Sequence, residues 1–182
     1  PFTYGNLASI FMLDTRQYRT DQPCGDNVQL LCEDARDPKA TMLGAAQEKW
    51  LMDGLHRSRT GWNLLGQQIP VARLDRMPGP ERRFSMDRWD GYEASQSRLL
   101  QFLGTRKPPN PVTLAGDVHN NWVNDLRLRV DDPKTPVVAT EFVGTSITST
   151  GDGSEMSPIM QAMASENECV RFCNDQRGYV RL

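Results

Sequence analysis

At the end of an apolar run the chain places an aspartate and, two residues on, one of its two histidines: Leu114-Ala115-Gly116-Asp117-Val118-His119-Asn120-Asn121. On an extended backbone, residues two apart share a face, so Asp117 and His119 point together while Val118 packs behind them. A carboxylate and an imidazole aimed at one point suit zinc, iron or manganese. Gly116 leaves room for an ion or a sharp turn. The plainer alternative is a strand that ends in a polar turn, with Asp117 capping backbone N–H groups and His119 at the surface. Two donors do not complete a catalytic zinc shell, which takes three from the protein. The second histidine, His56, lies near a helix end beside Arg57 and Arg59, where a cation favours the helix C-terminus rather than a metal.

Other residues stand at positions where chemistry is conceivable. Asp14, Arg16 and Tyr18 follow a buried strand at alternate positions. Arg16 reads either as a phosphate-binding guanidinium or as the partner of Asp14 in a strand-end ion pair. Asn120 and Asn121 are either oxygen donors or turn formers. Trp89 reads as lining a cleft or as a hydrophobic staple at a helix entry. Glu141 sits inside the apolar stretch Val137–Val143, so its charge needs a partner, either a metal shell or an arginine.

The surrounding pattern supplies the elements that hold these residues. Leu7–Leu13 is an apolar run of strand length, and residues Asp21 to Ala40 form a loop rich in Pro, Gly, Asn and Asp. Thr41 is placed to cap a helix whose stripe is Leu43, Ala46, Trp50, Leu51 and Leu55. Trp62–Leu74 reads as a second strand, interrupted or ended at Gly66 and Pro70. After a polar loop over Arg76–Asp87, Asp90-Gly91-Tyr92-Glu93 has the form of a capping box for a helix carrying Leu99, Leu100, Phe102 and Leu103. A short strand over Val112–Ala115 delivers the Asp117/His119 turn. Leu126, Leu128 and Val130 alternate with arginines, and Val137–Val143 returns antiparallel to them. Thr145–Ser157 is a long loop, Pro158–Ser165 a short helix, and Gly178–Leu182 the start of a strand. Strand–helix alternation followed by a meander makes an α/β domain of mixed sheets flanked by helices, with no linker dividing residues 1–182.

Bulk composition sets limits on function. With 21 Lys and Arg against 23 Asp and Glu there is no basic stripe for a nucleic-acid scaffold. No apolar run reaches membrane-spanning length, and no signal peptide is visible. The four cysteines, Cys24, Cys32, Cys169 and Cys173, include no CxxC pair. They are free buried thiols or one or two disulfides, with three pairings open.

Taken together, "FMLDTRQYRTDQPCGD", "TMLGAAQEKWL", "LAGDVHNNW" and "ATEFVGTSITSTG", in that order, resemble the PhoD-like alkaline phosphatases and phosphodiesterases of the calcineurin-like metallophosphoesterases. The likeness runs from about Ile10 to the last residue. It implies a sandwich of two mixed β-sheets flanked by helices, of which this chain is the second half, the C-terminal portion of the domain. It implies a metal-dependent enzyme acting on phosphate mono- or diesters, with iron and calcium as metals and export to the periplasm or the extracellular space. Asp117 and His119 match the metal-binding G-D-x-H motif. Arg16 is then placed near the phosphate, with Asp14, Tyr18, Asn120 and Glu141 beside the substrate or behind the metals. The family's remaining ligands precede the matched region. The alternative is therefore a catalytically incomplete lobe, open to association with a missing half or a partner through an incomplete sheet edge.

Overall fold

The computed structural model describes residues 1–149 and 151–182. Its centre is one mixed sheet of eight strands, joined by a two-stranded ribbon and covered by helices. The strands are β1 (Phe2–Tyr4), β2 (Ala8–Met12), β3 (Val28–Gln29), β4 (Trp62–Gly66), β5 (Phe84–Ser85), β6 (Pro111–Ala115), β7 (Asn121–Arg127), β8 (Val137–Val143), β9 (Gly153–Ser154) and β10 (Val170–Gln176). The helices are α1 (Gly44–Arg57), α2 (Glu93–Arg106) and α3 (Pro158–Glu166). In space the large sheet runs β1-β2-β4-β6-β8-β7-β10-β9, and β3 pairs with β5.

Four neighbours, β2, β4, β6 and β8, are parallel, and the outer strands are antiparallel additions. Parallel neighbours need long crossovers. The segments holding α1 and α2 supply two of them, and β7 lies within the third. Register puts Phe11, Leu65, Thr113, Glu141 and Asn124 in one row across five strands. All five are buried, and the row passes from apolar to polar along its length. Against this face pack Leu51 and Leu55 of α1, Leu99, Leu100 and Leu103 of α2, and Met160 and Met163 of α3. The opposite face shows half-exposed apolar residues at the alternate positions, among them Ile10, Leu64, Leu114, Val123 and Phe142. At one edge of the sheet, all three residues of β1 are exposed.

The α/β class, α1, α2, α3 and the antiparallel β7–β8 pair stand as the sequence suggests. The Thr41 hydroxyl accepts from the Gly44 N–H at 2.9 Å, one turn ahead of α1. Several boundaries differ, each for a local reason. The second strand stops at Gly66, because Gln67 and Gln68 turn their side chains to neighbouring segments. Ile69, Val71, Ala72 and Leu74 are instead buried as irregular chain. Strand β7 begins at Asn121, well before Leu126; its inward set is Trp122, Asn124 and Leu126, and the buried asparagine hides the period of two. Asp90 caps nothing: it lies in a 3-10 turn over Trp89–Tyr92, fully buried, and α2 starts at Glu93. Residues Gly178–Leu182 form no strand, and the last strand is β10. Cys24 and Cys32 form a disulfide, while Cys169 and Cys173 are thiols.

Candidate active site at the strand ends

The carboxyl ends of β2, β4, β6 and β8 lie side by side, where ligands gather in α/β sheets. Four connections leave from this rim. The first, after β2, is held by two glutamines. Gln47 of α1 accepts from the Asp14 N–H at 2.8 Å and donates to the Asp14 carbonyl at 2.8 Å. Gln68 donates to the Leu13 carbonyl and accepts from both the N–H and the hydroxyl of Thr15. Asp14 then closes its own turn, its Oδ1 accepting from the N–H groups of Gln17 and Arg16 at 2.9 Å each. Those two hydrogen bonds, Gln17's first, hold the Asp14 carboxyl below its ordinary value. Asp14 is thus a turn-former that fixes the base of Arg16 rather than the ion partner of its guanidinium.

Arg16 reaches across the rim. Its Nη1 donates to both oxygens of Asp87 at 2.8 Å, and its Nη2 donates to Asp117 Oδ1 at 3.3 Å. Asp87 also takes Arg19 at 2.8 Å and the Gln22 amide. Burial pushes the Asp87 carboxyl up, but the hydrogen bonds from Arg16 and Arg19 outweigh it and leave it below the usual range. On the far side of Asp117, Arg88 Nε stands 3.7 Å from Oδ2. One carboxylate at the end of β6 therefore lies between guanidinium groups from two different loops.

The Asp117/His119 segment is not extended. Strand β6 ends at Ala115, Asp117 has φ 73° and His119 φ 60°. The Val118 N–H donates to the Gly116 carbonyl at 2.9 Å, so Asp117 is the centre of a γ-turn of the rare, strained hand. Left-handed backbone at non-glycine residues costs about 1–2 kcal/mol each and collects at functional sites. Gly116 itself has open space where a Cβ would lie. The His119 carbonyl is tied down by the Thr145 hydroxyl at 2.9 Å and Arg177 at 3.1 Å.

The remaining sequence candidates fall around or away from this rim. Asn120 donates to Asp175 at 2.6 Å and Asn121 to Asn174 at 2.7 Å, both fastening the turn to β10. Tyr18 is exposed, its Cβ side lying over Gly44. Trp89 is buried and donates through Nε1 to Gln67 at 2.8 Å. Among the described residues Glu141 forms no ion pair with an arginine. Its two oxygens accept from the Val71 N–H at 2.6 Å, the Ala72 N–H at 3.0 Å, Asn124 at 3.0 Å and Thr113 at 3.3 Å. The partners of its buried charge are backbone amides, and through them it fixes the loop after β4. His56 is exposed in the last turn of α1. Sequence reasoning passed over Asp87, Arg88, Arg76 and Arg19. The available signal was an arginine-rich loop flanking Trp89 and Asp90, which has no periodicity to place it.

Among the described residues, no group of three His, Cys, Asp or Glu side chains could hold a metal ion. The donors present, Asp117 and His119, do not close a metal shell by themselves. No described helix is long and apolar enough to cross a membrane.

The model of a family described as PhoD-like phosphatase matches residues 1–182. Alkaline phosphatase D of Bacillus subtilis (strain 168) is 42% identical over 180 residues, which are 99% of this chain and 31% of that protein. A solved structure described as that of PhoD superposes with a TM-score of 0.93 at 42% identity, covering 98% of this chain and 34% of the other. The chain thus spans about a third of the length of the relatives it matches.

Proposed function

Because the chain belongs to the PhoD-like phosphatase family, we propose that these residues form part of an enzyme that hydrolyses phosphate mono- or diesters, with the strand-end rim as its substrate side. The observation that carries this reading is Arg16, whose guanidinium bridges Asp87 and Asp117 where the parallel strands end. Arginine's planar fork suits phosphoryl oxygens. In this reading Arg16 binds the phosphoryl group of the ester, and Asp14 holds the turn from which Arg16 projects. Tyr18 and Asn120 border the site, and Glu141 supports it from below through the loop after β4.

Iron and calcium belong to the same proposal. Asp117 and His119 are this chain's contribution to their coordination. Bound there, a metal would polarise the phosphoryl group and its attacking water. Export to an oxidising compartment also belongs to it, supported by the Cys24–Cys32 disulfide. The companion reading is a lobe that is catalytically incomplete alone, Asp117 and His119 being two donors where a catalytic zinc takes three.

Hydrolysis of p-nitrophenyl phosphate and bis(p-nitrophenyl) phosphate, followed with iron and calcium added, tests both. Turnover lost in Asp117→Asn supports the hydrolase. Turnover unchanged by Asp117→Asn, Arg16→Gln and His119→Ala would remove the rim from the chemistry. Turnover by the 182-residue chain itself would sink the incomplete lobe.

A further inference from the structure

Around Asp117 the arginines outnumber their partners. Arg16, Arg19, Arg76 and Arg88 come from three loops: Arg16 and Arg19 pair with Asp87, Arg16 and Arg88 share Asp117, and Arg76 lies within electrostatic reach of Arg88, Asp90 and Asp117. Asp87 is already spent on Arg16, Arg19 and Gln22, at 2.8 Å to each arginine. Asp117 is shared at 3.3 and 3.7 Å by Arg16 and Arg88. Those longer contacts leave N–H donors over. The Arg88 side chain is only 12% exposed, yet among the described residues it makes no hydrogen bond, only that 3.7 Å ion pair. Arg76 goes further: among the described residues its guanidinium has neither an ion pair nor a hydrogen bond. Loss of hydration and repulsion from Arg88 push its pKa down, while Asp90 and Asp117 draw it up. Asp90, the third carboxyl in reach, is itself driven toward the protonated form by burial. Guanidinium groups that crowd one carboxylate, with N–H donors left over, suit an oxyanion.

We propose that Arg76 and Arg88, together with Nη2 of Arg16, form a binding pocket for phosphoryl oxygens above Asp117, and that Asp87 is the positioning residue that divides the Arg16 fork. Asp87 engages Nη1 through both its oxygens and so turns Nη2 toward the end of β6. The phosphate ester of the proposed reaction is the ligand, so this inference rests on that reading for the identity of its anion.

The probe is inorganic phosphate, titrated at low ionic strength into the wild-type chain and into Arg76→Gln, Arg88→Gln and Arg106→Gln. Arg106 is an exposed control at the end of α2. Loss of one charge-assisted contact is expected to weaken phosphate about tenfold or more for Arg76→Gln and Arg88→Gln, and by less than about twofold for the control. Arg88→Lys, which keeps the charge without the fork, should recover part of the loss. Asp87→Asn should weaken phosphate through Arg16, and combining it with Arg16→Gln should add little more. Arg76→Gln should keep or raise the melting temperature, because it removes a dehydrated charge that Arg88 repels. A merely structural arginine would lower it. No phosphate binding by the wild-type chain, or equal weakening in all three glutamine variants, overturns the pocket. Ester hydrolysis that proceeds undiminished in Arg76→Gln and Arg88→Gln overturns the pocket and leaves the hydrolase standing. Phosphate held through these arginines by a protein that hydrolyses no phosphate ester does the reverse.

Discussion

Asp90 is the residue on which the pH dependence of stability turns. It is 2% exposed, and its carboxyl is pushed from 3.8 to about 7. Burial is the main cause. The Arg73 and Arg88 charges oppose it, Glu141 adds to it, and Arg76 opposes it. Arg73 Nε stands 3.9 Å from Asp90 Oδ1, and among the described residues neither atom has a hydrogen-bond partner. The ion pair is therefore too long to offset dehydration. Because the folded-state value lies above the unfolded one, the protonated carboxyl favours the folded chain. Its contribution is whole below about pH 4, declines as pH rises, and is gone above about pH 7. A difference of roughly three units at about 1.4 kcal/mol each corresponds to ~4 kcal/mol across that window.

Asp90→Asn keeps the shape of the neutral acid and cannot ionise. Urea unfolding of both proteins between pH 4 and pH 8 is the assay. Near pH 4 the two should have the same stability. The variant should pull ahead steadily above pH 5, by up to ~4 kcal/mol at pH 8, which for a chain of this size is about 10 °C in melting temperature. Parallel pH curves, or a variant weaker than wild type at pH 8, would show that Arg73 holds the ionised carboxylate after all.

Other substitutions read out the remaining supports. Glu141→Ala strands two backbone amides, Asn124 and Thr113 without their acceptor and should cost about 3–5 kcal/mol by the same unfolding assay. Reduction of Cys24–Cys32, which closes a loop with a sequence separation of 8, should cost about 2.5 kcal/mol, measured as melting temperature with and without dithiothreitol. Gly91→Ala drives a Cβ into the Met86 carbonyl and should destabilise by about 3 kcal/mol, whereas Gly116→Ala meets open space and should shift urea midpoints by less than the equivalent of about 0.5 kcal/mol.

What the sequence made legible is what short-range pattern controls. The apolar run before Asp14, the strand before Asp117 and the stripe of α1 each follow from periodicity, and they locate the rim where the candidate residues meet. Period-two reasoning put Asp117 and His119 together for a reason that does not hold, since both adopt left-handed backbone in a turn. Their common position at the end of β6 survives because it depends on where the strand stops, not on alternation beyond it. The resemblance to PhoD-like enzymes supplied the family, which the comparisons bear out.

The arginine side of the rim was hidden because its geometry is set by carboxylates remote in sequence. Residues 67–92 have neither helical nor strand period. They are held by Glu141 on Val71 and Ala72, by Asp75 on the N–H groups of Met77 and Arg83, and by Asn167 on Asp75. Each of those acceptors reads in isolation as a charged or polar residue of no fixed role. Only when the sheet puts Glu141 beneath Val71 and Ala72 does the start of the loop acquire a fixed course. The same buried acids thus do two things. They replace the backbone hydrogen bonds that regular structure would have made, and they fix the backbone from which Arg76 projects. A loop stabilised by periodic packing could relax its cations into solvent. This one is held by Glu141 at Val71 and Ala72 and by Asp75 at Met77 and Arg83, which keeps Arg76 within electrostatic reach of Arg88 and Asp117, and cations so gathered suit an anion.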